Sequence, residues 1–455
     1  MYSKEKRVTG LIAVLLLFLV LSCVRLTGIQ ASATDLTQFD KTPVVPMYAD
    51  RVFTDDTGTW IFSKADNAVV NTDVMILGVT SEHRGDTSLR VPAQLKRTVD
   101  TTTTIYDVTS IRWGLYRVNA GVYYESGFAG MSNLETVTFE TNPKFKKIYN
   151  TGYFTDFGLF QGTKVKEITL PDSIVVLDTT EGLGIFANSV IEQVEFNPVS
   201  LCDIGTNTFY NCQSLKTFEI KNNYNFVGSK TFNKANLING ITWETGYSRN
   251  ALGGSYLFAE TEMKSFTFPD SIASISSYAF YKCASLETVK FGANLNEISS
   301  YAFSECNSLK SVDFEGTALV NLGVNAFLND TQLTSVKFSQ TILNIGDFAF
   351  SGCKGLQTVS FPNNCDLQSI GVSAFRNTSA LSTLNIVAPN LKVINNNAFD
   401  TTGLTTINIE STKDVVFGTY AISGNKKLTD FTLKSMTKKL AANMFSNCSI
   451  LRTVT

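Results

Sequence analysis

The chain has 455 residues, a formal net charge of −2 and only 17% charged residues, so it offers neither a basic field for nucleic acid nor a strongly acidic tail. Its single histidine, His83, excludes multi-histidine metal sites and leaves most histidine-based catalysis without a base. No cofactor is expected.

Residues 1–33 have the order of an export leader. Lys4, Lys6 and Arg7 precede an apolar run from Leu11 to Leu21, which is shorter than the roughly 20 residues of a membrane span. Ala31-Ser32-Ala33 then supplies the small residues a signal peptidase reads, predicting a mature start at Thr34. A second reading takes Val20-Leu21-Ser22-Cys23 as a lipoprotein box, with a lipid on Cys23 as the one contact with a membrane; Leu21 and Arg25 fit it poorly. Either route predicts a secreted or cell-surface protein.

Residues 34–121 form a β-rich N-terminal cap in this reading. Trp60-Ile61-Phe62, Val74 to Gly78 and Leu89-Arg90-Val91-Pro92 have the composition of short strands separated by turn signals. His83, between Glu82 and Arg84, reads as a solvated loop residue.

Residues 122–455 are organised by repetition. Ile275 to Phe291 reads ISSYAFYKCASLETVKF, and Ile298 to Phe314 reads ISSYAFSECNSLKSVDF, with Phe280 and Phe303 separated by 303 − 280 = 23 residues. The Phe recurs at Phe128, Phe160, Phe186, Phe209, Phe232, Phe258, Phe280, Phe303, Phe327, Phe350, Phe375 and Phe399, and Ile422 substitutes once before Phe445, giving fourteen units. Phe128 and Phe160 stand 32 residues apart, which places an insertion near Tyr149 to Asp156; the array stops in mid-repeat at Thr455. A period of this size predicts a solenoid whose coils cannot fold singly. In Leu286-Glu287-Thr288-Val289-Lys290-Phe291 the apolar residues point inward and Thr288 and Lys290 outward, as in a short strand. The expected fold is therefore β-rich, with one parallel sheet of short strands and turns or short helical turns on the other side.

The pattern IGxxAFxxCxxLxxVxFP, complete at Ile345 to Pro362, resembles the BspA-like leucine-rich repeat family of bacterial and protozoan surface proteins. The resemblance implies a leucine-rich repeat solenoid, surface display, and adhesion to host matrix proteins or to other cells, through protein or glycan ligands.

Five of the eight cysteines, Cys212, Cys283, Cys306, Cys353 and Cys448, stand three residues after the recurring Phe, whose positions line up as a column from coil to coil. That is a core position, filled elsewhere by Thr163, Thr378 and Asp330, so the thiols read as small buried hydrophobes. A Cys283–Cys306 disulfide between adjacent coils is the alternative. No Gly-x-Ser-x-Gly elbow occurs, and acid pairs such as Asp55-Asp56 or Glu260 and Glu262 read as turn and surface residues. An enzyme is not expected; a hydrolase would need a catalytic domain outside this chain.

What remains is the exposed sheet face, rich in hydroxyls and amides. Its candidate binding residues are Thr288, Lys290, Ser311, Asp313, Ser335, Lys337, Thr358 and Ser360. The competing reading is a solubilising face whose Thr residues serve β-propensity, in a spacer that sets reach without recognition.

Overall fold

The structure is a computed structural model that describes residues 52–64, 72–118, 121–125, 127–150, 157–178 and 182–455. The leader, Cys23, the cleavage position after Ala33 and most of the insertion before Phe157 lie outside the described residues.

A regular coil contains two short strands. Strands Ser265–Thr267, Thr288–Lys290, Ser311–Asp313, Ser335–Lys337 and Thr358–Ser360 pair in parallel to form the outward face. Their central residues, Phe266, Val289, Val312, Val336 and Val359, are buried, as the alternation predicts. A second ladder, absent from the sequence reading, joins Ser274–Ile275, Glu297–Ile298, Asn321–Leu322, Asn344–Ile345, Ser369–Ile370, Val393–Ile394 and Val416–Phe417. Its cause is local: the inward Ile, Leu or Phe of each coil stacks on its equivalent, so the extended dipeptide around it pairs as well. Two parallel ladders therefore flank the core where one was expected.

The remaining side of the coil is neither strand nor helix; among the described residues the one helical element is a 3-10 turn at Ser81–His83. Instead, in each coil from Phe209 onward two residues adopt a left-handed backbone, two positions before and two after the repeat Phe or its substitute Ile422. Around Phe303 these are Tyr301, φ 58°, and Glu305, φ 63°. The reversals turn alternate N–H groups along the solenoid axis. Tyr301, Phe303 and Glu305 thus donate to the carbonyls of Val324, Ala326 and Leu328 at 2.9, 2.8 and 2.9 Å. The backbone of a non-strand segment is satisfied by the next coil, which a buried turn requires.

Coil spacing is set at the core. The column rings from Phe160 to Phe399 stack with successive centroids 5.0–5.5 Å apart, and each is essentially inaccessible to solvent. Close approach also demands glycine: a Cβ at Gly346 would lie 2.6 Å from the carbonyl carbon of Gly323 in the preceding coil.

The N-terminal segment is continuous with this architecture. Strand Asp73–Val79 pairs in parallel with the long strand Thr102–Val118, which pairs in turn with Lys147–Asn150, placing Ile111 beside Ile148. Strand Ser88–Val91 pairs with Thr136–Phe139 as the first strand of the outward face. The buried Trp60, Phe62, Ile76 and Trp113 cover the apolar edge that Phe128 would otherwise present, with the Trp60 ring 6.4 Å from that of Phe128.

Candidate functional site

On the outward face the strands bring the candidate residues into register. Thr288 stands opposite Ser311, Ser311 opposite Ser335, and Ser335 opposite Thr358; Asp313 stands opposite Lys337 and Lys337 opposite Ser360. All are exposed except Ser335, which is half-buried, and Lys290 extends the outer row from its own strand. The arrangement is two parallel rows of polar side chains running along the axis, with neighbours in a row one coil spacing of about 4.8 Å apart.

Charge on this face is largely paired between coils. Lys337 Nζ lies 3.0 Å from Asp313 and 3.6 Å from Glu315, and hydrogen bonding to Asp313 raises the lysine pKa. Lys310 pairs with Glu287, whose carboxyl it holds below the usual range. Lys290 makes no ion pair among the described residues. Exposed pairs of this kind contribute little to stability, and they leave the face near neutrality.

The seven described cysteines are all free, Cys283 and Cys306 included. Three residues after their repeat Phe, the Cys283 and Cys306 thiols donate to the Phe258 and Phe280 carbonyls, both at 3.1 Å. Burial pushes Cys283 up to about 11 and Cys212 up to about 12, so both are protonated thiols with no nucleophilic character at neutral pH. Cys202, which does not follow a repeat Phe by three residues, is also buried, within strand Cys202–Ile204, which pairs with Val176–Asp178 and Tyr224–Phe226. No group of three or more His, Cys, Asp or Glu residues could hold a metal ion among the described residues.

His83 is held more firmly than a solvated loop residue. Its Nδ1 lies 2.8 Å from Asp86 Oδ2, and its Nε2 lies 3.4 Å from Thr59 Oγ1. The imidazole ties the hairpin carrying Thr59 to the 3-10 turn. The Thr59 hydroxyl also accepts from Thr57 Oγ1 at 3.1 Å, and the long contact to Nε2 is a weak route for proton transfer.

Two further surfaces are defined by the tertiary structure. One is an aromatic edge at the left-handed positions, where the Tyr256, Tyr278 and Tyr301 rings stack at 4.3 and 4.7 Å. Tyr281 meets Tyr278 edge-on at 5.6 Å, and Lys282 lies 5.0 Å from the Tyr281 ring. The spacing of Tyr256, Tyr278 and Tyr301, each two residues before a column Phe, was the available signal. The other is a set of breaks in the outward sheet. Glu167–Thr169 pairs with Gln193–Glu195, and Phe218–Ile220 with Ile241–Trp243, but no strand pairing joins the two pairs.

Among solved structures, a leucine-rich repeat protein from Bacteroides ovatus matches with a TM-score of 0.54 at 18% identity, covering 84% of this chain and 94% of its own. The pneumococcal vaccine antigen PcpA matches with a TM-score of 0.38 at 16% identity, covering 84% of this chain and 81% of its own. A leucine-rich cell-surface protein from Faecalibacterium prausnitzii matches with a TM-score of 0.32 at 17% identity over 90% of this chain and 94% of its own. No curated protein matches in sequence. The family model for the BspA-type leucine-rich repeat region, in six copies, matches residues 124–248, 254–367 and 365–455, and the chain belongs to that family.

Proposed function

We propose that this protein is an exported, surface-displayed scaffold that binds a protein or glycan on host or neighbouring cells through its outward sheet face. The observation that supports this reading is the unbroken register of five strands from Ser265–Thr267 to Thr358–Ser360, which aligns exposed polar side chains over five coils. Export is supported by the leader of residues 1–33. Individual hydroxyl contacts contribute little, so affinity accumulates over many coils.

The test is capture of purified matrix proteins and arrayed glycans by the exported chain. Replacing Thr288, Lys290, Ser311, Asp313, Ser335 and Lys337 together is expected to weaken capture by about tenfold or more, while any single replacement changes it by less than about threefold. Unchanged capture in the six-fold variant would refute the face assignment. A second reading, favoured by the tyrosine stack, places recognition on the edge formed by Tyr278, Tyr281 and Tyr301; aromatic anchors are what tight interfaces use. Replacing those three by Ser separates the two. If neither variant alters surface display and no ligand is captured, the array serves as a spacer.

A further inference from the structure

The break between strands Gln193–Glu195 and Phe218–Ile220 is an open cleft of about 510 Å³. Within the paired stretch from Ser265–Thr267 to Thr358–Ser360, the coil entering a face strand is tied to its predecessor, as Glu287 N–H is to the Lys264 carbonyl at 2.8 Å. Among the described residues no such bond reaches from Lys216 or Thr217 to the preceding coil. Both strands therefore present an unpaired backbone edge to the cleft, and Val194, whose equivalents Val312 and Val336 are buried, is only half-buried.

The opening has a structural cause. Tyr224 occupies the apolar position that other coils fill with Ile174, Leu295 or Ile342, and its ring stacks on Phe196 at 4.5 Å and lies 6.0 Å from Phe218. Its hydroxyl donates to the Phe196 carbonyl at 2.9 Å. A side chain larger than the coil spacing accommodates sits between the two coils below the face strands. The next break, between Ile241–Trp243 and Ser265–Thr267, is bridged: the Trp243 indole N–H donates to the Thr267 carbonyl at 2.9 Å, and its ring packs edge-on against Phe266 at 5.9 Å. At the cleft the side-chain bridges run from Tyr224 to the Phe196 carbonyl and from Lys221 Nζ to Asn197 Oδ1, and no strand pairing joins Gln193–Glu195 to Phe218–Ile220.

The lining is acidic above an aromatic floor. Of the carboxylates Glu192, Glu195 and Glu219, the first pairs with Lys166 at 2.9 Å and the third with Lys221 at 3.6 Å. Glu195 accepts only from the Gln193 side-chain amide, at 2.5 Å, and has no ion-pair partner among the described residues. We propose that this cleft binds an extended polypeptide segment carrying lysine or arginine, which pairs its backbone with the free strand edges and places a cationic side chain against Glu195 and Glu219. Open strand edges supply affinity through main-chain hydrogen bonds, and the pattern of side chains beside them supplies selectivity. The site is separate from the face of residues 288–360 and stands without it.

The probe is a synthetic peptide of about eight residues alternating valine and lysine, long enough to cross a short strand. It is titrated into the full exported chain by fluorescence anisotropy, beside a valine–glutamate peptide and a valine–lysine peptide with N-methylated backbone amides. The basic peptide is expected to bind, the acidic and N-methylated peptides to fail, and the double substitution E195Q with E219Q to weaken binding by about tenfold or more. Both glutamates are exposed, so the double variant should retain the fold. Equal binding of the acidic peptide, or an unchanged affinity in the double variant, would overturn the electrostatic assignment. Equal binding of the N-methylated peptide would overturn strand pairing. Loss of peptide binding in the six-fold face variant alone would move the site to that face and overturn the cleft.

Discussion

Asp330 is an incompletely satisfied carboxyl in the core, and replacing it with asparagine should stabilise the protein. It stands three residues after Phe327, where other coils carry a side chain that donates to the column carbonyl of the preceding coil. Cys306 Sγ reaches Phe280 O at 3.1 Å, Cys353 Sγ reaches Phe327 O at 3.0 Å, and Asn425 Nδ2 reaches Phe399 O at 2.8 Å. Asp330 is fully buried; its Oδ1 accepts the Cys306 N–H at 2.8 Å, but its Oδ2 has no partner. Burial raises its pKa well above the carboxylate range, against the opposing pull of the Cys306 N–H. The native state thus binds a proton that the unfolded chain releases near its ordinary value of 3.8. For an acid with a raised native pKa, that stability is fully present below the unfolded pKa and is lost as pH rises towards the native one. The side-chain amide introduced by D330N would keep the Cys306 contact through its oxygen, as Asn425 does with Thr402 N–H at 3.0 Å, and would place a donor where Oδ2 is unmet. Satisfying a buried polar group is worth about 1–3 kcal/mol. The assay is denaturant unfolding of wild type and D330N at about pH 5 and about pH 8, the difference between proteins cancelling the exposed carboxylates that both share. D330N should gain more at the higher pH, and hydrogen exchange should locate the gain in the coils of Phe303, Phe327 and Phe350. A variant less stable than wild type at both pH values, or an equal gain at both, would refute the reasoning.

Phe303→Ala removes a ring stacked at 5.0 Å on Phe280 and 5.2 Å on Phe327, so a loss of about 3–5 kcal/mol is expected, with hydrogen-exchange protection falling in both neighbouring coils. Unchanged protection in those coils would contradict the stacking. The buried thiols of Cys212, Cys283, Cys306 and Cys353 should resist alkylation by iodoacetamide in the native protein and react on unfolding, and a reductant should leave the unfolding midpoint unchanged. Labelling of Cys283 or Cys306 under native conditions, read by peptide mass, would show that the ladder opens.

Some of this architecture is written in local sequence. The spacing of Phe280, Phe303 and Phe327 and the alternation through Leu286, Val289 and Phe291 state which side chains face inward, because burial of a strand with period two depends on each residue's own neighbours. The candidate residues from Thr288 to Ser360 were legible for the same reason. What they bind is not written there, since hydroxyls and amides on a strand serve solubility as well as recognition. The left-handed residues had a faint signal in Asn329, Asn377, Asn447, Gly352 and Gly424, obscured where Tyr301 and Glu305 adopt the same backbone. Other features depend on distance between coils and have no local signature. Whether Gln193–Glu195 pairs with its neighbour is settled by the volume of Tyr224, some thirty residues further along the chain. Whether the Asp330 carboxyl finds a partner is settled by carbonyls in a different coil. Sequence alone specified the coil, because a coil's inward face is a property of adjacent residues; only tertiary structure decided where coils part, because separation is set by side chains that meet across the stack.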